Sequence, residues 1–199
     1  MTNERISAFS DGVIAILITI MVLELKVPHG ADLGALSALL PVFLAYVLSF
    51  VVLAIYWNNH HHMFYLTDRI TGGILWANLH LLFWLSLLPF VTGWMGENHF
   101  AALPTALYGV ILMMDGVAYY ILERVIIRSQ GLNSKLEAAV GNDTKGKISV
   151  VLYLIAIPLA FVHQLLSDAI YVSVALMWLV PDRRIEQRFD EISRAEERK

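Results

Sequence analysis

"ERISAFSDGVIAILITIMVLELKVP", residues 4–28, decides how the whole chain is read. A helix rises about 1.5 Å per residue, so a hydrocarbon layer of about 30 Å takes about 20 residues. Residues 6–27 fit that length and are closed by Pro28. The beginning is unlike a plain anchor, because Arg5, Ser10 and Asp11 stand at its head. An acid in a membrane span is expensive and is normally paired with protein groups. The stretch therefore reads as a membrane helix whose first end is held by its neighbours.

The rest of the chain agrees. Of 199 residues, 58% are hydrophobic and only 16% charged, against roughly 45–50% and about 25% for a soluble domain. The apolar residues come in long runs, the mark of a membrane protein rather than a large soluble core. There is no cysteine, which excludes disulfides and thiolate metal sites. The first run lacks a basic leader and a small-residue cleavage site, so no cleavable signal is expected.

The runs and their prolines predict an all-α, polytopic fold with six transmembrane helices at 6–27, 37–60, 71–93, 103–126, 147–165 and 168–181. Pro41 and Pro104 fall in first turns, where a missing N–H costs little. Residues 148–180 would make one helix of about 50 Å, too long for a bilayer. "HQLLSD" at 163–168 is taken as the turn that splits them, with Pro158 kinking the fifth helix. A charged tail, 183–199, follows. Six spans put both termini on one side. With that side cytoplasmic, Lys26 is the sole outward lysine or arginine, and the other thirteen of the fourteen face inward, as the positive-inside rule requires. The loops leave no room for a catalytic domain, so no enzyme, cofactor or nucleic-acid partner is expected.

At 100° per residue, with Ile16 at zero, Phe9, Gly12, Thr19, Ile20 and Leu23 fall within about 60°, and Asp11 about 140° away. One face thus carries Ile16, Ile20 and Leu23 with Thr19 at its flank. Thr19 could equally bond back to its own helix and Ile16 touch lipid. Periodicity alone does not choose, because the helix is apolar all round. The second span ends in "YWNNHHHMF", residues 56–64, where Trp57, His60 and Phe64 share a face. The third carries Asn78 and His80, then "LLPF" at 87–90. A hydrogen-bonded network of Arg5, Ser10, Asp11, Trp57, His60 and Asn78, with Phe9 beside it, would tie the first helix to the next two.

These residues carry a resemblance. "RISAFSDGVIAILIT" resembles the R-x-x-x-F-S-D signature of the transmembrane protein 175 family of potassium channels. Trp57, His60 and Phe64, then Asn78 and Leu88–Phe90, resemble that family's next two helices. The likeness is strongest over residues 5–90. It implies a potassium-preferring cation channel of the prokaryotic single-repeat type, a homotetramer in the plasma membrane whose first helices line one pore. It maps the constriction onto Ile16, further apolar layers onto Ile20 and Leu23, and selectivity onto Thr19. Its partners are potassium ions, the lipid bilayer and three more copies of the chain. No "TVGYG" filter is present, so side chains and water must do the selecting.

Other readings compete. Three consecutive histidines, His60–His62, point 100° apart and are poorly placed for one metal ion. Asp115, in the middle of the fourth span, is expected to be paired or to face a wet crevice. Glu24 and Lys26 would sit at the outer mouth, tuning local cation concentration or marking the interface. A proton- or ion-coupled transporter, with Asp115 and the histidines as relay, is the alternative function.

Overall fold

The structure, a computed structural model, describes residues 3–131, 134–140 and 143–179. Every regular element among them is helical. α1 (Asn3–Met21) continues as a 3-10 turn, Val22–Glu24, and ends before Pro28 rather than at it. The short α2 (Leu33–Ser37) is capped by Asp32, whose side chain accepts from the Ala35 N–H. α3 (Leu40–Tyr65) starts with Pro41 in its first turn. α4 (Gly72–Leu85) and α5 (Leu88–Glu97) share one apolar run that breaks at Ser86–Leu87. Pro89 is the cause, since it cannot donate to the turn before it. α6 (Ala102–Gln130), α7 (Lys135–Val140), α8 (Thr144–Leu159) and α9 (Gln164–Leu179) complete the described chain.

Asn3–Glu24, Leu40–Tyr65 and Gly72–Glu97 are each long and apolar enough to cross a membrane. α6 has 29 residues, about 43 Å. α8 and α9 have 16 each, about 24 Å. The turn between these two lies at 160–163, ahead of the expected "HQLLSD". Pro158 lies inside α8, one residue before its end at Leu159. Ser167, expected in the turn, is buried in α9 and donates its hydroxyl to the Ala156 carbonyl of α8 at 2.9 Å. The predicted tail, 183–199, lies outside the described residues.

α6 is the hub, packed on α4, α5, α8 and α9. α3 lies along α5, closely enough that a Cβ added at Gly96 would meet the Val42 Cα at 2.7 Å. Backbone cannot yield as a side chain can, so this position needs glycine. α1 packs on α3, α4 and α5 from one side only. Ile6, Ser10, Ile14, Leu17 and Met21 make that contact and are all buried. Their spacing of four, four, three and four residues is one helical stripe.

Candidate functional site

The opposite stripe of α1 is open. Phe9 is 51% exposed, Ile16 57%, Ile20 42% and Leu23 74%, whereas Ile14, on the opposite side of the wheel, is fully covered. Gly12 and Thr19 lie on the same stripe. Nothing comes within 4 Å of a Cβ built at Gly12. This is the face the 100° spacing singles out about Ile16. Thr19 does bond back to its own helix, Oγ1 donating to the Ile16 carbonyl at 2.9 Å. That bond uses the hydroxyl proton and leaves the oxygen lone pairs free.

The buried stripe holds the polar lock. The His60 Nε2–H donates to Asn78 Oδ1 at 2.8 Å, Asn78 Nδ2 donates to Ser10 Oγ at 2.9 Å, and Ser10 Oγ donates to the Ile6 carbonyl at 2.9 Å. With the amide so placed, Nε2 carries the imidazole proton and Nδ1 is an acceptor without a partner among the described residues. The ring stacks on Phe64 at 4.5 Å between centroids. One residue from each of α1, α3 and α4 is thereby joined in a single directed chain. Asp11 is held separately, its Oδ1 accepting from Trp57 Nε1 at 3.0 Å. Wheel position separates the two: Ser10 points into the bundle, and Asp11, 100° round, points to the flank where Trp57 stands.

Arg5 and Phe9 are not part of this network. Among the described residues Arg5 makes no hydrogen bond or ion pair. Eleven residues before Ile16, it falls within about 20° of it on the wheel, on the open stripe with Phe9. The residue that fastens the beginning of α1 is Asn3, whose Nδ2 donates to the carbonyls of Phe64 at 2.7 Å and Thr67 at 3.0 Å. Sequence reasoning misses it, since an asparagine near the start carries no spacing signal.

The remaining candidates fall elsewhere. The histidine rings diverge as expected, His60 to Asn78 and His61 to Trp57, 6.2 Å between centroids. Asp115 is fully buried, and neither of its oxygens has a hydrogen-bond partner among the described residues. The expectation of pairing or a wet crevice is therefore corrected: the surrounding groups are the tyrosines 56, 108 and 153, within electrostatic reach. A second hydroxyl cluster, unseen in the sequence, joins Ser49 to Thr92 at 2.6 Å and to Tyr108 at 3.0 Å. At the other end of α1, Lys26 donates to Glu97, and that hydrogen bond, then the charge behind it, raises the lysine above its ordinary pKa. Glu24 folds back against Gly93.

Comparisons with known proteins converge on one group. The family described as endosomal/lysosomal potassium channel TMEM175 matches residues 5–89. A protein of Chryseobacterium sp. (strain P1-3), named as a potassium channel, is 53% identical over 191 residues, covering 96% of this chain and 100% of its own. A potassium channel of Streptomyces collinus is 31% identical over 190 residues, covering 88% of this chain and 91% of its own. The crystal structure of a lysosomal potassium-selective channel TMEM175 homolog from Chamaesiphon minutus superposes with a TM-score of 0.79. It is 28% identical and covers 89% of this chain and 96% of that one.

Proposed function

The chain belongs to the TMEM175 family, and from that premise we propose a potassium-preferring channel in which the open stripe of α1 lines the pore. It is a membrane protein and an ion channel, not an enzyme. The finer reading is a homotetramer in the plasma membrane of a prokaryote, both termini cytoplasmic, with four α1 helices around one axis. The observation that carries it is the division of α1 into a covered stripe locked to α3 and α4 and a bare stripe bearing Ile16, Thr19, Ile20 and Leu23. Arg5, on the same bare stripe, is without a partner among the described residues.

The chemistry follows from those side chains. A ring of four isoleucines offers a passing ion no oxygen, so a narrow ring empties of water and blocks flow. Conduction needs the ring to widen by a small rotation or tilt of α1. The lock through Ser10 and Asp11 leaves that motion to the portion beyond residue 11. Four Thr19 hydroxyls, their protons given to Ile16 carbonyls, turn lone pairs toward the axis one turn from the ring. Such ligands are few and uncharged, which sets selectivity for potassium over sodium at a modest level.

Purified protein in liposomes under a potassium gradient tests the function. Current or flux should follow the gradient, fall when sodium replaces potassium, and proceed without a coupled ion. Uptake that saturates and requires proton exchange would instead make the protein a transporter.

A further inference from the structure

Between α3, α6, α8 and α9 lies a cavity of about 460 Å³, to which α1 contributes no residue. That is the size range of small-molecule sites. Its walls are valines and aromatic rings, Tyr56, Tyr119, Tyr153 and Trp178 among them. Its charged side chains are Glu123 of α6, Asp143 at the head of α8, and Lys147. Glu123 is only 5% exposed. The Arg124 guanidinium stands 3.3 Å from its Oε1, but among the described residues that oxygen accepts no hydrogen bond. Asp143 is within electrostatic reach of Glu123 and spends one oxygen on the Gly146 N–H, 2.8 Å away. Aromatic faces at this end already take cations: Arg124 lies over Tyr120 at 4.9 Å and Lys145 over Trp178 at 5.8 Å.

We infer that this cavity binds a single-chain amphiphile with a protonated amine head, the ammonium at Glu123 and Asp143 and the chain along the apolar wall. A buried carboxylate short of a hydrogen bond is completed by an ammonium donor. Tyrosine and tryptophan faces add cation–π attraction, and the chain gains by leaving water in proportion to its buried area. A carboxylate-headed chain would place like charge against Glu123 and Asp143, which disfavours it at that head position. An alcohol-headed chain keeps the wall contacts and loses the ion pair.

The test uses the full chain in phosphatidylcholine nanodiscs. The probes are dodecylamine, dodecanol and dodecanoate, each brominated at the chain end to quench Trp178. The Trp178→Phe protein supplies the background from the other tryptophans. The amine should quench Trp178 saturably and at the lowest concentration of the three. Glu123→Gln should raise its half-saturation by about tenfold and leave the alcohol's unchanged. Gly116→Leu should abolish saturable quenching by all three probes, because a Cβ there meets only the Tyr56 hydroxyl, at 3.8 Å, and a longer side chain grows into the cavity. Equal quenching by amine and carboxylate overturns the inference. So does an amine response indifferent to Glu123→Gln, or saturable quenching that survives Gly116→Leu. Should Glu123→Gln lose the alcohol signal through misfolding, the probe ranking and Gly116→Leu decide alone. The readout is binding, so it stands or falls apart from the pore.

Discussion

Ile16→Asn is expected to raise resting potassium flux at least tenfold and to bring sodium flux to within about twofold of it. Each 1.36 kcal/mol removed from a barrier is a factor of ten in rate. In the proposed pore the Ile16 ring would impose its barrier by offering no ligand to a partly dehydrated ion, and stripping a polar or charged species of ligands costs several kcal/mol. Amides in its place would supply oxygens and hold water there, so the proposed ring would no longer empty. The same change removes discrimination, because an ion that keeps its water is not distinguished by the groups behind the ring. Liposome flux with each cation in turn measures both effects. Unchanged flux and unchanged ion preference would show that the narrowest point lies elsewhere.

The second large effect concerns the lock. Asn78→Leu leaves the His60 Nε2–H without its acceptor in a buried site whose Nδ1 already lacks a partner. A stranded buried group costs about 1–3 kcal/mol, while hydrogen bonds between membrane helices average nearer 0.6 kcal/mol. A loss of about 1–3 kcal/mol is therefore expected, seen as a lower midpoint in thermal denaturation of the purified protein. His60→Leu should cost a similar amount by stranding the Asn78 oxygen. The double variant removes both ends, so it should be less damaged than the sum of the singles by about 1–2 kcal/mol. Additive losses would mean that the 2.8 Å contact carries no coupling.

Sequence and structure agree most where the bilayer or the backbone sets the rule. The apolar runs mark the long helices because length and composition decide what can cross a bilayer. The stripe of α1 about Ile16 is legible because 100° per residue is a property of the backbone, whatever the stripe faces. That the stripe is bare is not legible, since isoleucine and leucine serve equally against protein or lipid. The His60–Asn78 contact follows from residue type and depth. Its route into α1 does not: it runs through Ser10, while Asp11 turns to Trp57, a distinction of one wheel position that only packing makes real. The charge of Arg5 suggests anchoring, although the same wheel sets it beside Ile16. The polar letters of 163–168 suggest a turn there, but the turn opens earlier, at 160, and α9 has begun by Gln164. Clusters such as Ser49–Thr92–Tyr108 span three helices and leave no local spacing to read.

In the assembled channel the Ile16 stripes of several copies should face one another. The chain has no cysteine, so a single one introduced as Ile16→Cys reports this directly. Two cysteines bridge only when their Cα atoms come within about 7 Å. Oxidation of Ile16→Cys in membranes should give covalent dimers, whereas Leu154→Cys, on an exposed part of α8, should stay monomeric. An Ile16→Cys protein that remains monomeric under oxidant while still passing potassium would contradict the account.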